Sequence, residues 1–386
     1  MIDRERLALR RHVLSRHVDA GRVPGLAALV SVDGDVHVET MGVRDLDTRA
    51  PFTRDTIVRV ASLTKVVIAA ATMALIEDGS LRLDDPVGGL LPELAAMRVL
   101  KTPASALDET VPAEGPITVR HLLTCTWGFG VLPGPDLPVN RAATEAGIAN
   151  VARPAGMDGD DWLARLAELP LMRQPGETWL YNTGYDVLGV LIARASGRAL
   201  PDHLRERILD PLGMRDTGFH VPAEHLDRLA TAYEPGPDGA RAYERPEGRF
   251  SVPPDFPGGA GGLVSTVDDF HAFARMLMTG GAGVLSRAST ELMTIDQLTP
   301  AQKEGAGLVP GMFDHTGWGF GMGVVHRRFD YPVKPGGYGW DGGLGPTWVS
   351  DPAERLIALI FHQLSFGEGR PAVNGDFLTW TYQGLT

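Results

Sequence analysis

Residues 60–80 read VASLTKVVIAAATMALIEDGS, and positions 66–76 hold no charge and a single hydroxyl, that of Thr72. A helix through this run is apolar on every face, so it has to be enclosed by the rest of the protein. Eleven residues are too few to span a bilayer, which leaves a buried central helix. The 386-residue chain, 44% hydrophobic and 22% charged, is long enough to surround such a helix and to form two lobes. The helix is predicted to begin near Ser62 and to stop at Gly79, a residue suited to a left-handed C-cap.

The flanking patterns suggest how it is enclosed. After an N-terminal helix, LAALVSVDGDVHVETMGV places Asp33-Gly34 between two strand-like runs, the signal for a tight antiparallel hairpin. Near the other end, GGYGWDGGLGPTWVSDPAERLIALIFHQ reads as further strands around the turn SDPAE, and a helix from about Asp376 closes the chain. Between them, proline- and glycine-rich connectors (LKTPASALDETVPAEGP, GFGVLPGPDLP, EPGPDGARAYERPEG) separate helical stretches such as ITVRHLLTCT, DDWLARLAELPLM and YDVLGVLIARASG. The expected architecture is mixed α/β (α+β). An antiparallel sheet flanked by the terminal helices comes from residues 1–85 and 255–386, with a mainly α-helical lobe, 86–254, inserted between its halves.

Several function classes are disfavoured. A net charge of −12 without a basic run argues against nucleic acid. The N-terminus alternates charge with short apolar steps and lacks the continuous apolar core of a secretory signal, so no membrane partner and a cytoplasmic location are expected. The one cysteine, Cys125, fits a reducing compartment and reads as a small buried hydrophobe. The 11 histidines are scattered without H-E-x-x-H, and no G-x-S-x-G surrounds any serine, so neither a metal or other cofactor nor the usual α/β-hydrolase nucleophile is expected.

Ser62 and Lys65 carry the chemistry. Of 36 basic residues only four are lysine, at 65, 101, 303 and 334. Residues three apart on a helix share a face, so the Ser62 hydroxyl and Lys65 amine can meet. A serine needs a base to take its proton, and a lysine can serve once burial lowers its pKa, whereas arginine stays protonated. Free first-turn amides, including that of Ser62, can stabilise an oxyanion. With 12 serines and four lysines, chance gives about 0.1 such S-x-x-K spacing. A capping serine with a snorkelling lysine is the structural alternative.

Three segments in order, SLTK at 62–65, YNT at 181–183 within WLYNTGYDVLG, and WDGG at 340–343, resemble the three motifs of the serine β-lactamase and penicillin-binding-protein superfamily. LIEDGSLRLDDPV, ITVRHLLTCTWGFG, GGAGGLVSTVDDF and WDGGLGPTWVSDP are similar to segments of its class C-like branch, which includes the family VIII carboxylesterases, and the resemblance runs from about residue 20 to 365. It implies a site in the cleft between the two lobes, with Ser62 as acylated nucleophile and Lys65 and Tyr181 sharing the base and acid roles. Lys65 would hold Tyr181 partly as phenolate; which of the two takes the serine proton stays open. Residues 340–343 would form a strand edge opposite the serine, the Gly343 N–H completing an oxyanion hole with that of Ser62.

The chain departs from the β-lactamases at two points. Trp340 and Asp341 stand where a lysine usually attracts the drug carboxylate, and Thr183 stands where an asparagine usually binds the substrate amide, Asn182 being displaced by one. An indole cannot pair with a carboxylate and an aspartate would repel one. Both changes resemble the esterases and acyltransferases of the branch. Substrate contacts are expected from Trp340, Asp341, Gly342 and Thr183, with Trp127, Phe129, Phe320 and Phe366 as apolar walls. The expected activity is hydrolysis of small to medium uncharged esters, the alternatives being acyl transfer from the same intermediate or a β-lactamase or D-amino-acid peptidase-like reaction. The partner is then a small ester; the sequence does not specify an oligomeric state.

Overall fold

The computed structural model describes residues 4–131, 137–148, 156–237, 239–328, 332–367 and 369–385. Residues 132–136 of the second connector and Asp238 of the third lie outside them, as do residues 1–3 of the stretch expected to form the N-terminal helix. The opening elements are α1 (Arg4–Asp19), β1 (Gly25–Val32) and β2 (Asp35–Gly42), and the turn between the strands has both Asp33 (φ 55°) and Gly34 (φ 91°) in left-handed backbone, as a two-residue hairpin requires. The closing strands are β3 (Thr316–Trp318), β4 (Gly323–Val325), β5 (Tyr338–Asp341), β6 (Thr347–Asp351) and β7 (Leu356–His362), followed by α6 (Ala372–Gln383). All seven strands form one antiparallel sheet in the order β2-β1-β7-β6-β5-β4-β3. The last strand therefore returns to pair with the first, Leu29 opposite Leu359.

Alternation along β1 and β7 divides two cores. Leu26, Ala28, Val30, Leu356, Ala358 and Ile360 pack under α1 and α6, whose Leu14 and Phe377 share that cluster. Ala27, Leu29, Leu359 and Phe361 face the larger core, where α5 (Val267–Met278) lies on the sheet. Deep in that core is α2 (Thr64–Glu77), in which every residue from Thr64 to Leu75 is buried. Its neighbour α4 (Gly184–Ser196), and α3 (Val119–Leu123), which packs on α4, come from the middle of the chain.

Two connectors expected as loops contain strands. Arg98–Leu100 pairs with Thr110–Pro112, and Ala232–Gly236 with Gly239–Glu244. The second hairpin forms because Tyr233 is buried in the α1 and α6 core and bridges Leu364 just past β7, a long-range contact that its glycines and prolines mask. Among the described residues, no helix is long and apolar enough to cross a membrane.

Candidate active site

Ser62 sits in a single 3-10 turn, Ala61–Leu63, that runs directly into α2. The i, i+3 spacing brings the Lys65 Nζ to 3.1 Å from the Ser62 Oγ, and the same nitrogen donates to the Ala260 carbonyl at 2.5 Å. Lys65 exposes no surface, and burial pulls its amine from 10.5 down to about 7, against the weaker opposing influence of Cys125 and Asp186. Near neutrality an amine with one N–H committed to Ala260 has a lone pair available for the serine proton.

Tyr181 enters from just ahead of α4. Its phenol is hydrogen-bonded with Ser62 and accepts a 2.7 Å hydrogen bond from the Trp340 Nε1. Lys65 lies over the ring face, 4.4 Å from its centre. Burial outweighs the two hydrogen bonds and pushes the phenol well above its usual range, so the expectation that Lys65 holds Tyr181 partly as phenolate is not met. The tyrosine rests as a phenol, and the lysine is the group close to neutral pH. Trp179 stacks on Tyr181, and Trp318 meets it edge-on. Neither tryptophan was singled out from the sequence, although the W-x-Y spacing of 179 and 181 is that of residues sharing one face of an extended segment.

Three non-glycine residues in left-handed backbone converge here: Ala61 (φ 46°) before the serine, Asn182 (φ 91°) after the tyrosine, and Cys125 (φ 57°), which acts electrostatically on both Lys65 and Tyr181. Such conformations cost about 1–3 kcal/mol each and persist where surrounding structure holds them. The Cys125 thiol is buried and pushed up to about 12, in keeping with an inert small side chain.

The third motif begins on an interior strand of the sheet and has a free strand edge only at Trp340 and Asp341. Strand β5 pairs with both β4 and β6, and Gly342 to Gly345 form the turn beyond it. Pairing with β4 ends at Gly339, so Trp340 and Asp341 run past their neighbour toward the Ser62 turn. A Cβ on Gly342 would lie 2.4 Å from the Val60 carbonyl, which is why that position tolerates only glycine. A Cβ on Gly343 would meet nothing within 4 Å, so its face is open. The turn is fixed by Asn374 of α6, which donates to the Gly345 carbonyl at 2.9 Å, and by the Phe366 N–H, which donates to the Gly343 carbonyl at 2.9 Å.

Residues 10–378 match the family described as Beta-lactamase. The chain belongs to that family. Protein Rv1367c of Mycobacterium tuberculosis is 37% identical over 355 residues, covering 89% of this chain and 87% of its own. Esterase EstB of Burkholderia gladioli is 30% identical over 370 residues, again 89% of this chain and 87% of its own. The solved structure of "EstCE1, a hydrolase with promiscuous acyltransferase activity" superposes with a TM-score of 0.83 at 27% identity, covering 98% of this chain and 99% of that one.

Within this beta-lactamase-family site, the remaining sequence expectations divide. Trp340 and Phe366 are partly exposed, and Phe366 is tied to the Gly343 carbonyl. Trp127 and Phe320 expose no surface and Phe129 almost none, so they pack the core and do not line a substrate pocket; large apolar side chains serve either purpose, and local sequence does not separate them. Thr183 is almost buried at the start of α4, where its carbonyl accepts the first helical N–H groups. Asp341, expected to repel an anion, has partners of its own. Its carboxylate accepts from Thr347 at 2.5 Å and from Arg370 at 2.8 Å, so any repulsion of an anion is offset by the guanidinium beside it.

Proposed function

We propose that this chain is a serine hydrolase that cleaves small to medium uncharged carboxylic esters through an acyl-enzyme on Ser62. The observation that carries the reading is the buried, near-neutral Lys65 amine 3.1 Å from the Ser62 hydroxyl. Ser62 Oγ attacks the ester carbonyl as its proton passes to Lys65 Nζ. The carbonyl oxygen, now an oxyanion, is received by the N–H groups of Ser62 and Gly343. Collapse breaks the bond to the alkoxy oxygen, which takes the Tyr181 phenolic proton. The phenolate formed is stabilised by the Trp340 N–H and recovers a proton from Lys65. Water then repeats the sequence on the acyl-enzyme and releases the acid.

The absence of a motif-three lysine, and the Trp340 indole hydrogen-bonded to Tyr181 in its place, support esters over anionic amides. Turnover of p-nitrophenyl acetate and butyrate should exceed that of nitrocefin; comparable efficiency on nitrocefin reverses the substrate assignment. Similarity to EstCE1 supports a second reading, in which an alcohol intercepts the same acyl-enzyme. Product analysis with added alcohol separates the two, since a transferase gives mainly transester and a hydrolase mainly free acid. A cytoplasmic location belongs to this proposal, supported by the buried free thiol of Cys125.

A further inference from the structure

The strap GGAGG, residues 258–262, passes between α4 and the serine turn, and supplies the carbonyl that holds Lys65. It is clamped on both sides. Leu263 N–H donates to Thr64 Oγ1 at 3.1 Å and Val60 N–H to the Leu263 carbonyl at 3.0 Å, tying the strap to the segment that bears the nucleophile. A Cβ on Gly259 would lie 2.1 Å from the Tyr185 carbonyl, so the strap rests directly on the first turn of α4. From that turn Asp186, buried just ahead of the apolar run Val187–Ile192, accepts the Ala260 N–H at 3.0 Å. One residue therefore stands between a buried carboxylate and the buried amine: Asp186 accepts the Ala260 N–H, and Lys65 donates to the Ala260 carbonyl.

We propose that Asp186 is a positioning residue of this site, acting on Lys65 through the Ala260 strap and through its own negative charge. This rests on the reading of Lys65 as the base. The carboxylate fixes the acceptor that aims the amine, and it opposes the loss of the lysine proton that burial drives. The other groups facing Lys65 are Ser62 on its own turn, Tyr181 ahead of α4 and the Cys125 thiol after α3. The Cys125 thiol acts on the amine in the same direction, and Asp186 is the one carboxylate among these neighbours.

The test compares full-length Asp186→Asn and Asp186→Ala with wild type, reading kcat/KM for p-nitrophenyl butyrate against pH, normalised to the fraction titrated by a fluorophosphonate. The Asn Oδ1 still accepts from Ala260, so Asp186→Asn should hold the plateau within about threefold while the acid limb moves down by roughly one pH unit. Asp186→Ala loses the anchor as well, and kcat should fall about 10- to 100-fold with the limb displaced in the same direction. A purely structural Asp186 lowers the melting temperature and the active fraction but leaves the limb where it is. An unmoved limb in either variant overturns the inference. Ser62→Ala serves as the separate control: if it retains turnover, the acyl-enzyme reading has failed, whereas a dead Ser62→Ala beside an unshifted Asp186→Asn rejects the Asp186 role alone.

Discussion

Arg59 and Lys65 are cations that expose no surface, and they are treated in opposite ways. Arg59 donates to the carbonyls of Ala230 (2.6 Å) and Arg245 (3.1 Å) and to Gln363 Oε1 (3.3 Å), lies 3.4 Å from Glu244, and stacks over Phe250. Lys65 has one carbonyl, one hydroxyl and the face of a tyrosine, and no carboxylate pairs with it among the described residues. Burial lowers both pKa values, but a guanidinium starts so high that it stays charged, while the amine reaches about 7. A well-partnered buried cation cements the segment just past β7 to the hairpin at 232–244 and its flanks; an under-partnered one is poised to exchange a proton. The difference explains why this helix carries one of the chain's four lysines in place of its usual arginine.

The sharpest way to break the comparison is to interchange the chemistries. Lys65→Arg keeps a cation and Lys65→Ala removes it, and both should lower ester turnover by about 10³-fold or more, because neither side chain accepts a proton. Steady-state rates normalised to folded protein check this. A Lys65→Arg enzyme near wild-type rates means that the positive charge, and not the free amine, is what Ser62 requires. Conversely, Arg59→Met should leave the catalytic rate per fluorophosphonate-titrated site within a few-fold and destabilise the fold by about 3–5 kcal/mol, since Glu244 and three acceptors lose their partner. Urea denaturation gives that value, and loss of rate at unchanged stability would contradict the structural role.

How much of this was readable beforehand follows from distance along the chain. Ser62 and Lys65 are one turn apart, so their meeting is a local property of a helix, and the apolar run behind them announced the burial. The first hairpin was equally local, written in Asp33-Gly34. Tyr181 required the resemblance, since nothing near it in the chain says that its ring will lie under Lys65. The Trp340 hydrogen bond was beyond reach: it depends on β5 running past the end of β4, a matter of register between two strands that local sequence does not set. Asp186 did carry a signal of its own, an acid inside the apolar GYDVLGVLIA, the same contrast that drew attention to Ser62 and Lys65.

Trp340 tests the supporting half of the site. Trp340→Phe retains the aromatic contacts with Tyr181 and Trp318 but deletes the N–H that meets the phenol at 2.7 Å. If that donor stabilises a transient phenolate, kcat should drop by about 10- to 100-fold with little change in KM. A rise in KM at constant kcat would instead assign Trp340 to substrate contact alone, as its residue type first suggested.

The smallest expected effect runs against intuition. An amine buried without a carboxylate in contact with it destabilises the folded state, so Lys65→Met, inactive by the argument above, should be more stable than wild type at pH 7 by on the order of 1–3 kcal/mol. The gain is limited because the Ala260 carbonyl loses its donor. Its sign with pH follows from linkage. The amine titrates near 10.5 when unfolded and near 7 when folded, so between those values the unfolded chain holds the extra proton and wild-type stability rises with pH. Below about pH 7 both states are protonated and the full penalty stands. The advantage of Lys65→Met should therefore be largest below pH 7 and shrink steadily toward pH 10, which urea denaturation at several pH values measures. A constant difference across that range would mean that Lys65 keeps its proton on folding, and with it would go the distinction between this lysine and Arg59.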